Sequence, residues 1–226
     1  MELISSLLSK PPVIKVFFDN EKEKLKLKNS KDELIDYSAY SDTDIIKGKI
    51  VIELNKNKNF EHMGIKVELV GTIENYRDKR QNSKFISLTK DLEPAGFLNN
   101  EITQLEFEFS GVEKQYETYR GLNIGVKYVL ITTLTSKYKN IINEAEFLIL
   151  KYKSLSEVEK ENTPIQMEIG IENWLHVCLE VEKSKYFLRE TVIGEVVFKK
   201  VSVRLQSMEI EIIKKEIIGS GIYFIS

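Results

Sequence analysis

The 226-residue sequence contains a single cysteine, Cys178, so it cannot form an internal disulfide bond. Its fold therefore does not depend on an oxidising compartment. Prolines and glycines are also few, 4 and 11 respectively, which argues against a disordered or low-complexity polypeptide. The apolar residues, 42% of the chain, are enough to fill a hydrophobic core.

Long apolar segments are absent as well. The uncharged run from Tyr128 to Ser136 is far too short to span a bilayer. The apolar stretch Leu3–Leu8 is soon followed by Lys10 and has no positive region before it, so it does not have the form of a secretory signal. A net charge of -2 gives no general attraction to nucleic acid or anionic lipid. We therefore predict a cytosolic protein without a nucleic-acid partner.

Recognisable arrangements of side chains for catalysis or metal binding are absent from the sequence, although carboxylates are plentiful. The chain has two histidines, His62 and His176. His176 and Cys178 share one face of a strand, but two ligands are fewer than zinc requires, and packing is the simpler interpretation. Neither a phosphate-binding loop nor a dinucleotide-binding glycine motif is present, and Glu168 and Glu172 are typical of a solvated strand face. We predict no enzyme activity, no cofactor and no metal.

Period-2 alternation of apolar and polar residues is the strongest pattern present, and it predicts strands. The spacing of these strands favours an all-β antiparallel sandwich. Two further stretches, Lys84–Leu92 and Glu113–Arg120, are interpreted as a helical turn or a connecting loop. The predicted strands are Ile50–Leu54, Ile65–Ile73, Leu105–Phe109, Gly125–Leu134, Ala145–Leu150, Leu175–Val181, Val192–Phe198 and Val203–Ile213.

Two polar stretches interrupt the strands. The first, Glu21–Glu33, is interpreted as a solvated hairpin end or loop; binding to a membrane is the weaker alternative, because its acidic residues offset its lysines. The second, Lys153–Pro164, is the best candidate for a linker between domains. The sequence thus predicts a domain at 1–152, a linker at 153–165 and a partial domain at 166–226.

Aromatic residues leave one alternative open. Trp174 and the tyrosines could form a platform for sugars or bases, although their positions inside strand patterns favour core packing. A ligand-binding β-sandwich module would need a concave pocket with convergent polar groups. Spacing alone does not identify such a pocket.

Four collinear blocks of the sequence resemble one known family. They are FEHMGIKVELVGTIE (Phe60–Glu74), VEKQYETYRGLNIGVKYVLITTL (Val112–Leu134), MEIGIENWLHVCLEVEKSKYFLRETVIGEVVF (Met167–Phe198) and VRLQSMEIEIIKKEIIGSG (Val203–Gly221). Each is similar to a stretch of the vacuolar protein sorting 26 family, the small arrestin-like subunit of retromer. The first forty residues match that family only loosely.

The resemblance implies a fold and a role. The fold would be all-β, with two arrestin-like β-sandwiches in tandem. The role would be that of a non-enzymatic subunit that binds the large helical solenoid subunit of retromer and, with sorting nexins, captures transmembrane cargo tails. Such a protein is cytoplasmic, peripheral on endosome membranes, and serves retrograde transport to the Golgi. An arrestin-like adaptor of a related, retriever-type complex is the alternative.

The resemblance also implies a site for cargo and sorting nexins at one sheet edge. An extended peptide can add to such an edge through backbone hydrogen bonds, while pockets select its side chains. Ile169 would line the pocket, unless it is simply a core residue of the second sandwich. The implied site residues are Met167, Glu168, Ile169, Gly170, Ile171 and Glu172.

The sequence departs from the family at its C-terminal end. The family continues well beyond the IGSG segment at 218–221, so the resemblance implies that the second sandwich is incomplete here and that the loop contacting the large subunit is lost. The segment SMEIEIIKKE (Ser207–Glu216) would then be a strand without neighbours, with an open edge.

Overall fold

The computed structural model describes residues 11–19, 24–28, 32–54, 59–151, 159–160, 162–187, 189–218 and 221–225. The chain divides into two compact units: Met1–Lys151 together with Lys214–Ser226, and Tyr152–Ile213. Most of the linker predicted at 153–165 lies outside the described residues. The structure also groups the last thirteen residues, Lys214–Ser226, with the first unit, whereas the prediction placed them in the second domain.

Strands dominate the described chain, which confirms the all-β prediction. The only described helix longer than two residues is a single 3-10 turn, Lys79–Gln81. None of the helical segments that the structure describes could cross a lipid bilayer. The strands are β1 (Val13–Phe18), β2 (Lys24–Lys28), β3 (Leu34–Ser41), β4 (Ile46–Glu53), β5 (Phe60–His62), β6 (Gly64–Asn75), β7 (Ser83–Glu93), β8 (Gly96–Leu98), β9 (Ile102–Phe109), β10 (Tyr119–Arg120), β11 (Ile124–Thr135), β12 (Ile141–Leu150), β13 (Ile165–Ile171), β14 (Leu175–Val181), β15 (Gly194–Val201), β16 (Lys214–Ile218) and β17 (Gly221–Ile225).

The first unit is a sandwich of two sheets. A small sheet has the order β1-β4-β9, and a large sheet has the order β2-β3-β12-β11-β6-β7, with β10 added beside β11. Pairing is antiparallel throughout except between β3 and β12, which run parallel. Short pairs are formed by β5 with β8 and by β16 with β17. Inward-facing side chains of both sheets form one apolar core.

An aromatic cluster lies at the centre of this core. The ring of Phe147, on β12, is completely buried. Its centroid lies 5.4 Å from that of Phe18, 5.7 Å from that of Tyr40 and 5.9 Å from that of Tyr128. These separations are typical of favourable aromatic pairs. Phe147 therefore joins β1 of the small sheet to β3 and β11 of the large sheet.

The two stretches predicted as a helical turn or a connecting loop differ in the structure: one is a strand and the other is a loop. Lys84–Leu92 lies within β7, an edge strand of the large sheet that pairs with β6, so the helical-turn or loop prediction is wrong there. Both faces of β7 are largely exposed, so its sequence lacks the regular alternation of apolar and polar residues that predicts a strand. Glu113–Arg120 is mostly loop, and the buried ammonium of Lys114 anchors it by donating to the carbonyls of Asp42 (2.9 Å) and Asp44 (2.6 Å).

The second unit contains a three-stranded antiparallel sheet of order β13-β14-β15. The segment after it, residues 202–213, forms no strand, so the strand predicted at Val203–Ile213 is wrong over its whole length. The alternating pattern is present, but no strand in the described chain pairs with it, and a strand requires a hydrogen-bonded neighbour. Ile212 is accordingly 88% exposed.

Candidate peptide-binding edge of the second unit

Five of the six residues implied by the resemblance, Met167–Ile171, lie together on β13. This strand pairs with β14 along one side, from Ile165 opposite Val181 to Ile171 opposite Leu175. On the other side no strand of the described chain pairs with it, since β13 is the end of its sheet. The structure therefore places Met167–Ile171 on a strand edge that no other described strand covers.

The turn at the end of β13 shows which of its residues direct their backbone groups toward β14 and which toward the open side. The Trp174 N–H donates to the Ile171 carbonyl at 2.9 Å, so Ile171 directs its backbone groups toward β14. Backbone groups alternate between the two sides of a strand. Those of Gln166, Glu168 and Gly170 therefore point to the open side, where an extended peptide could pair with them.

An apolar row accompanies these free backbone groups. The side chains of Ile165, Met167, Ile169 and Ile171 project from one face of the sheet, and the register aligns them with the apolar side chains of β14. All four are exposed, Ile169 at 56%. A paired peptide would place alternate side chains beside this row, as β-strand addition requires.

The opposite face of the edge is polar. The Glu168 carboxylate accepts from the Lys199 ammonium at 2.9 Å, and its other oxygen lies 3.3 Å from His176 Nε2. The hydrogen bond and charge of Lys199, followed by the contact with His176, lower the pKa of the Glu168 carboxyl. The same contact raises the pKa of Lys199. A cation and an anion thus already neutralise each other on this face.

Glu172, the sixth residue, does not belong to the strand. It lies in the turn between β13 and β14, next to Asn173, whose φ of 66° is in the left-handed region that asparagine tolerates. Trp174 follows and is half exposed. Glu172 therefore lies outside the pairing edge of β13, and the exposed ring of Trp174 lies at the end of that edge.

A buried carboxylate in the first unit was not indicated by the sequence. Glu216, on β16, is almost fully buried. Its two oxygens accept hydrogen bonds from β10 and from the loop that follows it. The donors are Tyr119 Oη at 2.6 Å, Leu122 N at 3.0 Å, Asn123 N at 2.8 Å and Asn123 Nδ2 at 3.2 Å.

The electrostatics of Glu216 follow from this carboxylate cradle, which we define as Tyr119, Gly121, Leu122 and Asn123. Burial raises the pKa of the Glu216 carboxyl, but the donated hydrogen bonds outweigh burial and lower it to about 2. A Cβ at Gly121 would lie 1.9 Å from Glu216 Oε1, so the cradle requires glycine there. Ninety-four residues separate Leu122 from Glu216, and no local motif could have revealed the pair.

The fold and the site define a class of protein: an all-β sandwich protein with an open strand edge. Among the residues that the structure describes, no group of three or more His, Cys, Asp or Glu side chains is arranged to hold a metal ion.

Comparison with known proteins identifies the family. The family model for vacuolar protein sorting-associated protein 26 matches residues 8–225. The chain belongs to this family, and the family prediction is confirmed.

Curated relatives agree with the family model. The chain is 39% identical over 189 residues to vacuolar protein sorting-associated protein 26B of Mus musculus, covering 82% of this chain and 54% of the relative. It is 40% identical over 204 residues to vacuolar protein sorting-associated protein 26 of Plasmodium falciparum (isolate 3D7), covering 90% of this chain and 67% of the relative. The chain thus spans about half the length of the mouse relative.

Solved structures give looser likenesses. The sporulation control protein Spo0M of Bacillus subtilis has a TM-score of 0.46 and 7% identity, covering 83% of this chain and 90% of that one. Squid arrestin has a TM-score of 0.36 and 14% identity, covering 78% of this chain and 68% of that one.

Proposed function

We propose that this chain belongs to a non-enzymatic retromer subunit, which acts as an adaptor in the endosomal sorting and retrograde transport of transmembrane cargo. Family membership supports the assignment to protein sorting. The open edge of β13 carries the adaptor role, because it presents unpaired backbone groups beside an exposed apolar row.

The proposed ligand of this edge is an extended cargo tail. The backbone groups of Gln166, Glu168 and Gly170 would pair with the tail, while an aliphatic cargo side chain would pack against Ile169. Because the Glu168–Lys199 pair is already neutral, apolar contact and backbone pairing contribute more to recognition than net charge. Sorting nexins would contact the same region.

We expect Ile169→Asp to weaken binding of a cargo-tail peptide at least tenfold, about 1.4 kcal/mol. A carboxylate in the apolar row would have to be desolvated beside the bound aliphatic side chain. The measurement is fluorescence anisotropy with a labelled tail peptide that carries a central Leu or Met.

The matched control is Ile165→Asp, which places the same charge in the same row but outside the implied site. It should change affinity less than threefold. Equal losses for the two variants would show that the row contributes only general apolarity, and unchanged binding by Ile169→Asp would place the cargo elsewhere.

We further propose that the protein assembles with the large helical solenoid subunit of retromer and lies peripherally on endosome membranes, on the cytoplasmic side. Affinity capture of the endogenous protein, followed by mass spectrometry of its partners, tests this assignment. Recovery of the solenoid subunit would support retromer. Recovery of a different, retriever-type assembly without it would contradict the proposal and favour the related adaptor.

A further inference from the structure

A second open edge lies in the first unit, at β1. The Asp19 N–H donates to the Lys47 carbonyl at 3.0 Å. In the β1–β4 register, the backbone N–H and C=O groups of the odd-numbered residues of β1 therefore point toward β4. The even-numbered residues Ile14, Val16 and Phe18 therefore direct their backbone groups away from β4. The side chain of Asn143 confirms this phase, because its Nδ2 reaches the Ile14 carbonyl at 3.0 Å.

The large sheet presents two more unpaired edges to the same region. The register between β3 and β12 covers only Ala39–Ser41 and Leu148–Leu150. Before those residues the two strands do not pair with each other: residues 34–38 of β3 pair with β2, and residues 141–147 of β12 pair with β11. In the described part of the chain, no strand fills the gap.

These edges, together with residues of β4 and β9 such as Val51 and Ile102, line an open groove of about 720 Å³. Val16 and Phe18 line it from β1, and Ser38 and Ala145 line it from the large sheet. Phe17 projects outward from the same strand and is half exposed. The groove thus combines free backbone groups with apolar side chains of small and large size.

The charges in the groove are of both signs. Lys15 pairs with Glu53 at 2.6 Å, and the groove also contains Lys24, Lys49 and Asp36. Such a mixture gives no net attraction for a phosphate or a metal ion. Backbone donors and acceptors without a neighbouring strand call instead for an extended chain.

We propose that this groove binds an extended peptide segment of a partner protein, which adds to β1 as a further strand of the small sheet. Its backbone pairs with Val16 and Phe18. Its side chains alternate: apolar residues face inward beside Val16 and Phe18, and polar residues face outward beside Lys15. The site is distinct from β13 and uses other residues, so one protein could hold two extended peptides.

Hydrogen exchange of single amides tests the proposal. The probe is a set of peptides of about ten residues, the length of a long strand, selected on the protein from a random display library. In the free protein, the amides of Val16 and Phe18 should exchange fast and those of Lys15 and Phe17 slowly. A saturating selected peptide should slow exchange at Val16 and Phe18 at least tenfold and leave Lys15 and Phe17 unchanged.

A variant separates this edge from other binding surfaces. Val16→Pro removes the outward N–H but no β1–β4 hydrogen bond, as proline permits on an edge strand. It should weaken binding of the selected peptides at least tenfold, whereas Tyr138→Ala, at an exposed position outside the groove, should bind like the natural protein. A melting temperature shows whether Val16→Pro remains folded, and the exchange experiment does not depend on it.

Three results would overturn the proposal. The library could yield no binding peptide, or the selected peptides could leave Val16 and Phe18 unprotected. Slow exchange of these two amides in the free protein would show that a segment of this chain already fills the groove.

Discussion

Replacing Glu216 by glutamine is expected to lower the free energy of unfolding of the first unit by about 3 kcal/mol. Glutamine has almost the same shape, so packing is preserved. Its amide group, however, would point two N–H donors at the cradle, where each Glu216 oxygen now accepts from two donors. At least two buried donors would lose their acceptor.

Urea unfolding, followed by far-ultraviolet circular dichroism of the backbone, measures this change. The control is Glu209→Gln, because Glu209 is exposed and lies outside the strands. This control should stay within about 0.5 kcal/mol of the natural protein. A Glu216→Gln variant as stable as the control would show that the cradle contributes nothing to stability.

The same carboxylate makes the stability of the first unit depend on pH in the acid range. Its pKa in the folded protein is about 2, below the ordinary value of about 4.3 for glutamate in an unfolded chain. A depressed pKa stabilises the fold above the unfolded value, and that stability is lost as pH falls from about 4.5 toward 2. Across this window the natural protein should lose about 3 kcal/mol more than Glu216→Gln, as measured by urea unfolding at each pH.

Phe147→Ala is expected to cost about 4 kcal/mol. The ring is fully buried among three aromatic neighbours, so its removal leaves a cavity that the two sheets cannot close. Tyr138→Ala is the matched control, since Tyr138 is 79% exposed and its ring should contribute less than about 1 kcal/mol. Comparable losses in the two variants would mean that the aromatic cluster is not the centre of the core.

Sequence alone predicted the strands that have one buried face. Leu175–Val181 matches β14 residue for residue, and Ile65–Ile73 lies within β6, because burial of one face enforces alternation in the sequence. The prediction failed at β7, where neither face is fully buried, and at Val203–Ile213, where alternation is present without a partner strand. Periodicity reports which side chains could be buried, but pairing depends on what lies next to the strand.

The three sites described above differ in how far the sequence indicates them. Met167–Ile171 could be proposed from the family resemblance of one continuous stretch, because neighbouring residues on one strand form the whole edge. The carboxylate cradle and the β1 groove each join segments that lie far apart in the sequence. Glu216 meets Leu122, and Asn143 meets Ile14, and neither pair has a local signature.

The position of β16 in the chain has a consequence for biosynthesis. Lys214–Ile218 belongs to the first unit, but the ribosome must first produce all of Tyr152–Ile213, which takes roughly 3 to 12 seconds at about 5 to 20 residues per second. During that interval the donors of Tyr119, Leu122 and Asn123 have no carboxylate to bind. The nascent first unit is therefore a species with its last buried network unformed, and it is the stage at which a chaperone would have most to protect.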